Sequence, residues 1–100
     1  MKIEKITLTD QIDYREERFT NKIIFDRSHF KVSLFALKAG QEIKPHSTPV
    51  NAFLTVVEGE GFIRIGEEDF TLKAGDSIPL PKEILHYVRA DRDFKMMLIK

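Results

Sequence analysis

From Asn21 onward the chain reads as short apolar stretches separated by turn residues, the rhythm of β-strands. Residues 21–26 lead into 30–38, where Phe30, Val32 and Leu34 fall on one face and the Val and Phe side chains favour extended backbone. Ala39-Gly40 breaks that run, and residues 42–46 predict a further strand closed by Pro49. Residues 52–57 form a nearly unbroken apolar run, the pattern of a strand buried on both faces. After the Gly59-Glu60-Gly61 turn, residues 62–65 and 70–73 predict a hairpin whose connection is Gly66-Glu67-Glu68-Asp69. Residues 77–80, 84–89 and 94–99 complete the strands, and only residues 9–17 carry a helical pattern, a weak one. Turn signals at intervals of about eight to twelve residues predict an all-β sandwich or barrel.

One hundred residues make a single domain spanning 1–100, and an apolar share of 42% suits a packed core. Such a small barrel has a thin core and open terminal edges, so a homodimer is expected, with exchange of N-terminal strands as its route. Sixteen basic residues balance sixteen acidic ones, giving a formal net charge of zero and no basic stripe for nucleic acid. Lys82, Arg89, Arg92 and Lys95 are diluted by Glu83, Asp91 and Asp93, which reads as solvated surface. The absence of cysteine excludes disulfides, thiolate zinc sites and a catalytic thiol. No apolar signal region follows Met1 and no run has the length of a membrane span, so a cytoplasmic protein without a membrane partner is expected.

Two stretches carry a resemblance. The first is Gly40-Gln41-Glu42-Ile43-Lys44-Pro45-His46-Ser47-Thr48, continuing through Ala52-Phe53-Leu54-Thr55-Val56-Val57-Glu58-Gly59-Glu60-Gly61. The second runs from Gly75-Asp76-Ser77 through Pro79-Leu80-Pro81 to His86 and ends at Ala90. Together, at 40–61 and 75–90, they resemble the two motifs of the cupin superfamily, and the chain is similar to its small single-domain members. The resemblance implies a cupin barrel (a double-stranded β-helix, or jelly roll) that commonly dimerises. Glu83 stands where the family usually has glycine, and Ala90 where it usually has asparagine.

Metal-binding cupins draw two histidines and a glutamate from the first motif and a histidine from the second. On that pattern His46 and His86 match, whereas Thr48 and Ala52 occupy the other two ligand positions. Two imidazoles completed by water would hold a divalent ion such as iron, manganese, nickel or zinc weakly, and a metal-free barrel fits the same residues equally well. Glu42 lies four residues before His46, so an unbroken strand would put both on one face and make a displaced triad with His86. Asn51 reaches inward if Pro49 kinks the chain; otherwise Glu42 is a solvated edge carboxylate and Asn51 a turn residue.

Three functions compete. In the first, a small molecule binds in the barrel beside His46, Thr48 and His86, against a wall of Leu54, Val56 and Val88. An anionic ligand such as a carboxylate or sugar acid would be held by protonated imidazoles. In the second, His46, His86 and Glu42 hold the metal of an oxygenase or isomerase. In the third, an imidazole acts as a general base without metal. A barrel serving only as an interaction module remains beside them.

Overall fold

The computed structural model describes all of residues 1–100. Nine strands follow a single 3-10 turn at Leu8–Asp10: β1 (Thr20–Arg27), β2 (Phe30–Leu37), β3 (Glu42–His46), β4 (Ala52–Glu58), β5 (Glu60–Ile65), β6 (Glu68–Lys73), β7 (Ser77–Leu80), β8 (His86–Ala90) and β9 (Phe94–Ile99). They form a five-stranded sheet in the order β1-β2-β9-β4-β7 and a four-stranded sheet in the order β3-β8-β5-β6. Every pairing is antiparallel. The architecture is the all-β barrel that the turn spacing predicts. No helix is long and apolar enough to cross a membrane.

The two sheets enclose one core. Leu54 and Val56 of β4, Ile63 of β5, Val88 of β8 and Phe94 and Met96 of β9 are buried within it. Each fully buried aliphatic or aromatic side chain contributes about 1.5–3 kcal/mol through loss of apolar surface from water. Gly61 makes room for Phe94, since a Cβ there would lie 2.8 Å from the ring.

Four expectations change. Residues 9–17 form no α-helix beyond the end of the 3-10 turn; Ile12 and Tyr14 instead lie over the outer face of the five-stranded sheet, against Leu34 and Ala36. The face that carries Leu34 therefore points out of the barrel, under this segment, while Phe35 and Leu37 point in. Strand β4 is buried on one face only, because Phe53 is 45% exposed between buried Ala52 and Leu54. The β5–β6 hairpin turns on Gly66 and Glu67 alone, with Gly66 at φ +60 as the first residue of a tight turn requires. Lys95, read as solvated, is buried, and its Nζ donates to the Thr9 carbonyl at 2.6 Å. It sits over the Tyr14 ring, and the Tyr14 hydroxyl donates to Glu58, so the covering segment is fastened to β9 and β4.

Candidate functional site

Strand β8 starts at His86 because Glu83 turns the chain at φ +63, leaving Ile84 and Leu85 outside the sheet and exposed. His86 thus shares its inward face with Val88 and not with Ile84. Across the ladder, Ile43 pairs with Val88 and His46 pairs with His86. Three residue steps on β3 therefore match two on β8, which is a bulge at Lys44-Pro45. A bulge reverses the alternation of faces beyond it. Ile43 and His46 both point inward, and Glu42 points out, where it accepts the Tyr87 hydroxyl at 2.6 Å and pairs with Arg89. The displaced triad is corrected on this ground: Glu42 is on the wrong face to join His46 and His86. No group of three or more potential ligands occurs anywhere in the chain.

The two histidines meet. Their Nε2 atoms are 3.1 Å apart, with ring centroids at 4.3 Å and planes inclined at 66°. His46 Nδ1 lies 3.0 Å from the Lys44 carbonyl, and His86 Nδ1 lies 3.3 Å from the Ile84 carbonyl. A carbonyl only accepts, so each Nδ1 carries a proton and donates it. In the neutral rings both Nε2 atoms then present lone pairs to each other. That contact is favourable only with a cation between them, either one shared proton or a metal ion. His86 is 5% exposed, and burial, followed by the charge of His46, holds its imidazole below the usual histidine range.

Behind the pair lies a cavity of about 40 Å³, walled by Phe35, Ile43, Leu54, Leu80, Val88 and Met96 among others. Leu54 and Val88 are thus on the wall. Val56 is buried in the core away from it, and Thr48 lies in the loop after β3. The Thr48 hydroxyl donates to the Val50 carbonyl at 2.9 Å, and its own carbonyl accepts the Glu83 amide at 2.7 Å. Asn51 staples the same turn, accepting the Lys82 amide at 2.9 Å. Phe35, Ile43, Leu80 and Met96 were not among the predicted site residues. For Phe35 a signal exists, since residues 34–37 are apolar on both faces, whereas Ile43 depends on the bulge.

Residues 33–100 match the family described as cupin domain. The chain belongs to the cupin family. Among curated proteins no match is found. Solved structures agree on the barrel. The conserved protein SPY1581 of Streptococcus pyogenes, described as of unknown function, is 27% identical over 99% of this cupin and 87% of its own chain, with a TM-score of 0.88. A cupin 2 conserved barrel domain protein from Leptotrichia buccalis is 30% identical over 94% of this chain and 46% of its own, with a TM-score of 0.86. TT1209 from Thermus thermophilus is 25% identical over 97% and 95% of the two chains, with a TM-score of 0.89.

The residues of this cupin fit a divalent metal in part. Two Nε2 atoms at 3.1 Å can both reach one ion at the usual bond length of about 2.0–2.1 Å. Each ring donates its other nitrogen to a fixed carbonyl, the support that metal-bound histidines ordinarily have. The remaining positions must be filled from outside the chain.

Proposed function

We propose that this cupin binds a small anionic molecule at the His46–His86 mouth, with a divalent metal held jointly by the two imidazoles and the ligand. The observation that carries the reading is the convergence of two Nε2 lone pairs at 3.1 Å with both Nδ1 atoms committed to carbonyls. A carboxylate with a neighbouring hydroxyl or carbonyl oxygen supplies the oxygens that Thr48 and Ala52 do not. Metal and ligand then strengthen each other's binding, because each completes the other's site. The cavity of about 40 Å³ holds an ion or a single small group, well below the size that encloses a whole ligand. The body of the ligand therefore rests at the mouth beside exposed His46. Lys100 acts electrostatically on His86 and adds positive charge there.

A metal-free form has its own support in the same contact. One proton shared between the Nε2 atoms satisfies it and leaves a single positive charge at the mouth, which favours the same class of anion. Calorimetric titration of the full chain separates these cases. Zinc, nickel or manganese alone binds weakly, and a small hydroxy acid together with the metal binds at least about tenfold tighter than either partner alone. Both effects disappear in His46→Ala and His86→Ala. Binding of the hydroxy acid alone, unaffected by metal, would select the proton form. No binding of metal or acid in folded protein would refute the proposal.

A further inference from the structure

Lys31 and Lys100 stand directly opposite each other at the end of the β2–β9 ladder. The Lys31 amide donates to the Lys100 carbonyl at 2.7 Å, and the Lys100 amide donates back at 3.0 Å. Such a pair sets two side chains side by side on one face of the sheet, with Cα atoms about 5.5 Å apart. The face is the inner one. Leu98, two residues before Lys100, lies in the core and lines the cavity behind the histidines, and Ser33, two residues after Lys31, is buried.

Carried one step past the Phe53–Ile99 pair, the β4–β9 register sets Lys100 beside Ala52. Ala52 in turn pairs with Leu80, another wall residue of the cavity. The two lysines therefore stand at the rim of the histidine mouth, and the charge of Lys100 reaches His86.

Like charges directly opposite across a ladder repel each other. Neither ammonium group enters an ion pair of the chain, and Ala52 offers no charge to offset Lys100. Asp26 faces Lys31 from β1 without pairing with it. A cleft of about 290 Å³ is lined by both lysines together with Arg27, His29 and Val50, and Asp26 is its single acidic side chain. A lone carboxylate held at the histidines would leave this basic rim without a partner. A second acidic group on the same molecule satisfies both places.

We infer that the ligand is a short hydroxy acid with two carboxylates, one held at the histidines and the other between Lys31 and Lys100. The inference rests on the reading of the histidine mouth and narrows its ligand class from an anion to a dianion. The flexible lysine stems let both ammonium groups close on one carboxylate, each through a charge-assisted hydrogen bond.

Calorimetric titration of the full chain with lactate and with malate, zinc present throughout, tests it. Both acids carry a hydroxyl beside a carboxylate, and malate adds a second carboxylate. Malate is expected to bind at least about tenfold tighter than lactate. Lys31→Gln and Lys100→Gln, each folded by circular dichroism, reduce that preference to about threefold, and the double change abolishes it. Lactate affinity stays within about twofold in all of them, because a single carboxylate engages only the histidines. Lys73→Gln, on the other sheet, keeps the full preference. Equal binding of lactate and malate by the wild type overturns the inference and leaves the histidine reading standing. Failure of both acids overturns the two together. A preference that survives the double lysine change, or that falls as far in Lys73→Gln, also overturns the inference.

Discussion

Ile43 and His46 occupy the same inward face of β3 although three positions separate them. The bulge at Lys44-Pro45 that permits this also turns Glu42 toward Tyr87 and Arg89 on the outside. Glu42→Gln is therefore expected to leave zinc or nickel affinity within about twofold, while loss of a true ligand costs far more than the roughly 10–100-fold typical of supporting residues. Calorimetry on the variant decides this, and a tenfold or greater loss would mean that Glu42 turns inward in solution.

Both tyrosines ionise late. Burial, and then the Glu58 carboxylate that accepts its hydroxyl, raise Tyr14 well above the ordinary tyrosine value. The hydrogen bond to Glu42 raises Tyr87. Since the folded values exceed the unfolded one, the stability from these hydroxyls is complete below about pH 10 and is lost as pH climbs through the folded values. At pH 10, where free tyrosine is half ionised, absorbance at the tyrosinate band should stay below half-developed. Half-developed absorbance there would show that neither contact persists.

His86 gives acid sensitivity. Its folded value lies below that of a free imidazole, chiefly through burial, so the unfolded chain binds the proton more readily. Its contribution is complete above about pH 6.5 and falls away as pH drops through the folded value. In thermal melts, any advantage of the wild type over His86→Gln should shrink as pH falls from 7 to 5. A constant difference would mean that His86 does not titrate differently on folding.

The glycines divide sharply in their tolerance. At Gly59, φ is +80 and a Cβ would collide with the Asp93 carbonyl oxygen, so Gly59→Ala should cost about 3 kcal/mol or more. At Gly75, φ is +96 but nothing lies within 4 Å, so Gly75→Ala should cost only the backbone strain of about 1–2 kcal/mol. Glu83 is the reverse case, a side chain held at φ +63. Glu83→Gly should gain about 0.5–1 kcal/mol, the strain relieved less the added flexibility of glycine. Denaturant melts of the three variants should give this order.

The strand rhythm is legible in the sequence because alternation and turn residues are local properties. Phe53 shows where locality ends: a continuous apolar run does not distinguish a strand covered on both faces from one with an open face. Lys95 is a similar case, since its burial depends on Thr9, Tyr14 and Glu58, all far away along the chain. The approach of His46 to His86 follows from barrel closure, but the orientation of Glu42 depends on one extra residue in β3. Pro45 is the local sign of that irregularity, because proline within strands favours edges and bulges. Wall residues such as Leu80 and Met96 are ordinary core choices, and only three-dimensional closure assigns them to the cavity.

Strand β9 is the middle of the five-stranded sheet, flanked by β2 on one side and β4 on the other. Until residues 94–99 have left the ribosome, β2 and β4 have no neighbour between them, and the covering segment has no Lys95 to fasten it. Nascent chains shorter than this expose apolar strand edges and depend on protection from aggregation. Assembly of the barrel is consequently a late, concerted event, slow for so small a domain because its decisive pairings join distant parts of the chain.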